Sequence, residues 1–521
     1  MIWEKLLPPL PFKEAKTWKI VASAGCGKTH ILERTILELL ESGTRPNEIM
    51  YLIFNRKPAE EFRTKLNERG IADQDMPWIN THHSVCLRIL GLYGKNVLDL
   101  KKWGKEHNMD FDEDKKSKFG WAEIKMSLDM KLYEGDTDYD PEEMMLLNML
   151  TKEENENKLW THSRYMSHAL LLKRIPPSVK YVFIDEAQDS VKIQWDYYEY
   201  LKANEQVEGL MIAGDDKQAI NNWKGSRGDL FLAFEADRNV CLDKTWRNAA
   251  PILSFANSVV EYIKDRSPLT IESEQIEKGS VLYIDRFSDV IYDISIDITL
   301  GNQIMVLCRN GVWAQEVRTI LWKNAIPVQS EKHSKILEML KAFRDASENQ
   351  TYENIVRLFS CDVLRMKDYW TNFELFRKGN FTDTAKAEFE LMSAGMEWSN
   401  DWSLFGAKPL LATNFDEIRS NNWSGISCKK DYSDSVKDVL QSIKEYGWEY
   451  KPVIVSVIHR VKGMECDTVI LVRNITGAVH RGETFTEDDE RRVWYTAITR
   501  ARTKVIITEL WKDYKMNTQL I

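Results

Sequence analysis

The run Trp18-Lys19-Ile20-Val21-Ala22 passes directly into Ser23-Ala24-Gly25-Cys26-Gly27-Lys28-Thr29-His30, and that into Ile31-Leu32-Glu33-Arg34-Thr35-Ile36-Leu37-Glu38-Leu39-Leu40. A short apolar run, a turn of small residues and a helical periodicity predict a buried strand, a tight loop and an amphipathic helix. Small residues from Ala22 to Gly27 let backbone N–H groups wrap a chain of phosphates. Lys28 would reach its outer groups, and the Thr29 hydroxyl can hold Mg²⁺, as in a phosphate-binding P-loop. Ala22 stands where the general pattern has Gly.

Working outward, strand-like runs recur at Met50-Tyr51-Leu52-Ile53-Phe54, at Tyr181-Val182-Phe183-Ile184 and at Leu210-Met211-Ile212-Ala213. Alternation of such runs with helical patterns predicts an α/β fold with a parallel sheet. A second set begins at Ile304, Val453, Thr468 and Lys504, implying a second sheet. The segments between are poor in strand signals and read as helical insertions. The expected organisation is a first α/β domain from 1–90 and 171–249 and its insertion 91–170. A second α/β domain would comprise 250–330 and 451–521, with its insertion at 331–450. At the carboxyl edge of the strand ending in Ile184 stand Asp185 and Glu186. Ligands of open α/β sheets bind at that edge. Asp185 suits the Mg²⁺ shell, and Glu186 suits the orientation and deprotonation of an attacking water.

A chain of 521 residues is long enough for three or four compact units of roughly 100–200 residues each. With 43% hydrophobic and 29% charged residues it has a globular composition. No apolar run approaches the roughly 18 residues of a membrane span, and the first sixteen residues lack the apolar stretch of an export signal. Seven cysteines, an odd number without a C-x-x-C pair, predict a reducing compartment and no zinc site. The expected location is cytoplasmic and nucleoid-associated, in a bacterium or a virus-infected host. A net charge of −9 excludes binding of nucleic acid by bulk charge, so a nucleic-acid groove would be local. The four tryptophans 370, 398, 402 and 423 of the second insertion read as packing anchors of a helical subdomain.

Further motifs follow in a fixed order: Gly214 to Ile220 with Trp223-Lys224-Gly225, then Thr245-Trp246-Arg247-Asn248, then Ser456 to Glu465, then Arg491 to Arg502. In this order and context the chain resembles the UvrD/Rep branch of superfamily 1 helicases. The resemblance covers both motor domains and matches the insertions only by position and helical character. It implies two RecA-like motors that use ATP and Mg²⁺ to move 3′ to 5′ along single-stranded DNA and unwind duplex as the cleft between them closes. Carried over by position, Gln218 would contact the γ-phosphate and its water, and Arg247 and Arg500 would be arginine fingers. Trp246 would stack on adenine, with Gly463 and Glu465 near the nucleotide. Partners implied are single-stranded DNA, single/double-strand junctions and replication or repair proteins, with no membrane.

Single-strand motors need aromatic platforms for bases and cations for the backbone. Phe54, the Thr81-His82-His83 segment, Trp223 and His459 match the family's strand contacts. Arg56, Lys57, Lys224 and Arg309 would supply phosphate contacts. Ile53 and Asn55 flank Phe54 where the family has Thr, and Lys224 replaces Arg, which predicts a different grip. A regulatory ATPase could dispense with the aromatic track, and a binding module without catalysis would tolerate loss of Lys28, Glu186 or Arg500. A helicase-nuclease would need a further carboxylate domain, and the chain ends about twenty residues after Arg500. A translocase that does not unwind stays open, as does RNA in place of DNA. The family's adenine-reading Gln before the P-loop has no counterpart, since the first Gln is Gln74. Weak discrimination between ATP and GTP is expected unless backbone groups near Phe12 to Lys16 replace it.

Overall fold

The computed structural model describes residues 12–111, 121–275, 278–348, 357, 361, 433–475 and 486–510, and the four tryptophans of the second insertion fall outside them. In chain order the first half forms β1 (Thr17–Ala22), α1 (Lys28–Glu41), β2 (Ile49–Ile53), α2 (Arg56–Glu68), β3 (Ile79–Thr81) and α3 (His82–Ile89). The helices α4 (Leu100–Glu106), α5 (Trp121–Glu134), α6 (Pro141–Glu156) and α7 (His162–Leu171) come next. They are followed by β4 (Tyr181–Ile184), α8 (Lys192–Ala203), β5 (Gly209–Gly214), α9 (Gly228–Ala233) and β6 (Arg238–Leu242). The six strands make one parallel sheet in the order β3-β2-β4-β5-β1-β6.

The four inner strands of this sheet, β2, β4, β5 and β1, split their side chains between two apolar layers, as period-two alternation requires. Ile49, Tyr51 and Ile53 join the layer of α1 and α2, which holds Ile31, Leu32, Ile36 and Phe62. Met50 and Leu52 join the opposite layer with Trp195, Tyr198 and Phe231. Both faces are buried, which is why these strands read as continuous apolar runs. The helical segment between β3 and β4 has a small core of its own around Trp103, Phe111, Leu128, Leu146 and Leu150. Its two ends are tied by a bridge between Val97 and Trp160.

The crossover carries a two-stranded ladder of β7 (Lys244–Thr245) and β8 (Glu272–Ser273), with α10 (Ala250–Val260) between them. The second half then forms β9 (Ser280–Arg286), α11 (Phe287–Thr299), β10 (Ile304–Cys308), α12 (Gly311–Lys323) and α13 (Glu331–Glu348). It ends with α14 (Ser433–Tyr446), β11 (Ile454–Val457), β12 (Cys466–Val472), α15 (Glu487–Ile498) and β13 (Ala501–Glu509). The sheet is parallel in the order β11-β10-β12-β13-β9. Ile336, Met339 and Leu340 of α13 and Val436, Val439 and Ile443 of α14 share the apolar layer of Ile304, Val306 and Ile470. The two helices at the ends of the expected 331–450 insertion therefore pack into the second core. No helix among the described residues is long and apolar enough to cross a membrane.

Besides the short ladder of β7 and β8, three strands of the two large sheets escaped the sequence reading, namely β3, β6 and β9, and all three lie at sheet edges. β3 has only three residues. β6 and β9 expose most of their side chains, so neither carries the apolar run of a strand buried on both faces.

Candidate functional site

A cleft of about 910 Å³ opens between the carboxyl edge of the first sheet and the second motor, and among the residues lining it are Lys28, Asp185, Gln218, Trp246, Lys462 and Arg500. The loop after β1 ends at Gly27, whose φ of 87° lies in the left-handed region, and Lys28 is the first residue of α1. Gly25 is sterically required. A Cβ there would come within 2.5 Å of Arg247 Cβ and Thr245 Oγ1, at a backbone φ of +72°. The Thr245 hydroxyl donates to Ala24 O at 2.9 Å, and the Trp246 amide donates to Gly25 O at 3.3 Å. The segment after β7 thus braces the phosphate loop.

Lys28 folds over this loop and donates to Ala22 O at 3.0 Å and Ser23 O at 3.3 Å. Ser23, Ala24, Gly25, Gly27, Lys28, Thr29 and His30 line the cleft. Ala22 and Cys26 do not, and their side chains pack in the core beneath the loop. Burial pushes the Cys26 thiol up to about 12, so it stays protonated.

Across the loop, Thr29 Oγ1 donates to Asp185 Oδ2 at 2.6 Å, so the two oxygens expected to share a cation face one another. Burial and the neighbouring Glu186 charge push the Asp185 carboxyl above its ordinary value. Burial also opposes the charge of Glu186, but the cations of Lys28 and Lys462 outweigh it and hold that carboxyl below its ordinary value. Glu186 is therefore ionised, the state a base requires. Its backbone is left-handed, with φ 51°, a conformation that costs a non-Gly residue of order 1–2 kcal/mol. Gln188 Nε2 donates to Glu186 Oε2 at 2.6 Å while Gln188 Oε1 accepts from the Asp215 amide at 2.9 Å. A buried amide thereby aims the carboxylate.

The second motor contributes three cations. Arg500 donates to Gln218 Oε1 at 2.7 Å, and Gln218 in turn donates to Asp215. Burial and repulsion from Arg247 lower the Arg500 guanidinium to about 9, which still leaves it charged at neutral pH. Lys462 pairs with Asp189, lies 3.7 Å from Glu186 Oε2 and donates to Gln218 O at 2.9 Å. Arg502 joins Arg247 on Glu465, which accepts from Arg247 Nε at 2.7 Å and from Arg502 at 2.5 Å. Gly463 lines the same cleft. Five cations, Lys28, Arg247, Lys462, Arg500 and Arg502, line one cleft with Asp185 and Glu186, which suits a polyanion carrying a divalent cation, and this donor set fits a magnesium nucleoside triphosphate.

Lys462, Asp189, Gln188 and Arg502 were not singled out from the sequence, although Lys462 and Arg502 sit inside the motifs quoted above and Gln188 and Asp189 follow Asp185 and Glu186 within three residues. Gln275 also lines the cleft, and no sequence signal points to it. The segment from Phe12 to Lys16, offered as a source of base contacts, lies at the other end of β1. Phe12 packs on Tyr181 and Phe183, and the carbonyls of Phe12 and Ala15 accept from Trp18 Nε1 at 3.1 Å.

The residues expected to grip a strand divide into separate groups. Trp223 and His459 meet edge to face across the two motors at 6.2 Å, with Lys224 Nζ 4.5 Å from the Trp223 ring centre. Burial and nearby cations hold His459 near 4, so it is neutral. Phe54 is 41% exposed and lines the cleft of Lys28. Arg56 and Lys57 open α2 and pair with Glu60 at 2.6 Å and Glu61 at 3.8 Å, both largely exposed. Thr81 caps α3 by accepting from the Ser84 amide. His83 packs edge-on to His162 and Tyr165 of the helical segment.

Two of these assignments are corrected. His82 is buried against Tyr198, its pKa lowered by burial to about 3, and is a core residue. Arg309 is 6% exposed and holds Glu490 with two nitrogens, the closer at 2.6 Å. It is a buried ion-pair partner, too deep to reach a nucleic-acid backbone.

The family model of the UvrD/REP helicase N-terminal domain matches residues 10–165 and 156–239. That of the UvrD-like helicase C-terminal domain matches residues 452–508. A probable DNA helicase II homolog of Mycoplasma capricolum is 21% identical over 96% of this chain and 83% of its own length. The putative ATP-dependent DNA helicase YjcD of Bacillus subtilis is 23% identical over 93% of this chain and 75% of its own. The ATP-dependent DNA helicase PcrA of Staphylococcus epidermidis is 27% identical over 59% of this chain, a match that spans 48% of PcrA. The two family models meet the phosphate loop at one end and the Arg500 segment at the other, the two halves of one cleft, and the chain belongs to the UvrD-like helicases.

Proposed function

We propose that the protein is an ATP-dependent DNA helicase that moves 3′ to 5′ on single-stranded DNA and unwinds duplex at single/double-strand junctions. The observation that carries this reading is the Arg500 to Gln218 contact, which joins a cation of the second motor to a polar group at the phosphate edge of the first. Relatives named as ATP-dependent DNA helicases support it.

In this reading the loop from Ser23 to Gly27 wraps the phosphates, and Lys28 leaves its carbonyl contacts for the β and γ groups. Mg²⁺, held by Thr29 and Asp185, would neutralise charge on those groups. Glu186 orients water and takes its proton, and Gln218 positions that water. Arg247, Arg500 and Lys462 meet the charge that spreads over the transferred phosphoryl. Trp246 supplies the base platform. Lys462 and Arg500 reach the phosphates only when the second motor stays close, so nucleotide binding favours the closed cleft. Trp223, His459 and Lys224 bridge the motors on the strand side, where closure alters the grip on a stacked base. Replication or repair proteins are the expected partners.

ATP turnover measured without polymer and with single-stranded DNA, duplex DNA or RNA tests the substrate. Strong stimulation by single-stranded DNA is expected, and equal rates in all four conditions would refute the reading. Partial duplexes tailed at one end or the other test polarity, and unwinding only from 5′ tails would overturn the 3′ to 5′ assignment.

A further inference from the structure

We infer that Arg502 is a positioning residue that keeps the Glu465 carboxylate paired while Arg247 leaves it for the transferred phosphoryl group. This role rests on the nucleotide reading above, which puts Arg247 at the phosphoryl, and adds the group that makes its departure easy. Arg247 stands on a fixed backbone. The next residue, Asn248, is fully buried and donates through Nδ2 to Thr499 O at 3.1 Å and to Ala501 O at 2.6 Å. The Ala249 amide donates to Arg502 O at 2.8 Å. These bonds stitch the segment of Arg247 to the segment of Arg500 and Arg502, so Arg247 can reach a phosphate only by moving its side chain. That side chain is engaged elsewhere in this structure, since its Nε donates to Glu465 Oε2 at 2.7 Å.

Arg502 occupies the other carboxylate oxygen. Its Nη2 donates to Glu465 Oε1 at 2.5 Å, and its Nη1 to Asp467 Oδ1 at 3.2 Å. Glu465 and Asp467 flank Cys466, which pairs with Ala501 in the β12–β13 register, so the guanidinium fork spans both carboxylates. Asp467 is fixed in turn, because its Oδ2 accepts from the Gln303 amide at 2.7 Å. Glu465 thus gives one oxygen to each arginine, and Arg502 has a second carboxylate to anchor it. When Arg247 moves to the phosphoryl it breaks a charge-assisted hydrogen bond, and a carboxylate left with no partner would hold it back most strongly. With Arg502 in place Glu465 stays paired, so the phosphoryl draws Arg247 from a carboxylate that a second cation already neutralises. The Glu465 side chain is 37% exposed, so solvent screens the pair and the effect on rate is severalfold rather than orders of magnitude.

The test is steady-state ATP hydrolysis by the full chain on saturating single-stranded DNA, with rates divided by the fraction of protein that binds a fluorescent ATP analogue. Arg502→Met, which keeps the apolar stem, should lower kcat by about two- to fivefold, while affinity for the analogue stays near wild type. In a Glu465→Gln background there is no carboxylate charge to retain Arg247, and the same substitution should then change kcat by less than about 1.5-fold. A role in packing alone would cost as much in either background. Arg502→Ala repeats the comparison should the Met variant not fold. A wild-type kcat in both single Arg502 variants, or an equal loss with and without the Glu465 charge, would overturn the role. Weaker analogue binding together with such an equal loss would make Arg502 a direct phosphate contact instead. An Arg247→Ala variant with wild-type kcat would overturn the nucleotide reading at Arg247, and this role with it.

Discussion

Arg500 and Gln218 are 282 residues apart in sequence, yet the guanidinium of one donates to the side-chain carbonyl of the other at 2.7 Å. Both are almost fully buried, and Gln218 is anchored on Asp215 behind it. A fork of donors held this way meets a phosphoryl group in a fixed orientation, which an ammonium cannot reproduce. Arg500→Lys should therefore lower DNA-stimulated kcat by about 10³-fold, at the low end of the range for arginine fingers. Nucleotide affinity should change far less. A kcat within tenfold of wild type would remove Arg500 from the reaction centre.

Lys28→Ala and Glu186→Gln separate binding from chemistry. Removing the Lys28 ammonium should weaken both nucleotide binding and turnover. Glu186→Gln preserves shape but takes away the base, so turnover should fall by about 10²- to 10⁴-fold with nucleotide binding largely retained. Equilibrium binding of a fluorescent ATP analogue, set beside steady-state hydrolysis, reads the two effects. Chelation of Mg²⁺ should abolish turnover in the wild type.

Trp223 meets His459 across the motors and carries Lys224 on its face. As a stacking platform worth roughly 1–3 kcal/mol per base, its loss in Trp223→Ala should raise the single-stranded DNA concentration needed for half-maximal stimulation by about 5- to 150-fold. Hydrolysis without DNA should fall much less. Equal loss of basal and stimulated rates would mark Trp223 as a packing residue of the motor.

Arg309 makes a prediction about stability. Its ion pair with Glu490 is buried on both sides, at 6% and 8% exposure. Removing one partner leaves a buried charge, so Arg309→Ala should destabilise the fold by about 3–5 kcal/mol. Urea denaturation followed by fluorescence measures this. The salt dependence of DNA binding should keep its wild-type slope, whereas loss of one phosphate contact would reduce that slope by about one.

The amino-acid sequence by itself determined the two parallel sheets, the phosphate loop and the placement of Asp185 and Glu186. Each depends on backbone elements adjacent in the chain: β1 runs into Gly27 and Lys28, and β4 runs into Asp185. Strands buried on both faces carry apolar runs that announce themselves, whereas the edge strands β3, β6 and β9 do not. Only the tertiary structure decided which polar groups share a cleft. Lys462 reaches Gln218 across 244 positions, and Gln275 comes to Trp246 only because the β7 and β8 ladder closes a loop. Arg309 looked like a phosphate contact until Glu490, 181 residues later, folded against it. A lone Arg has the same local sequence whether it faces solvent or a carboxylate. Burial and partner choice arise from packing between distant segments, and local periodicity does not encode them.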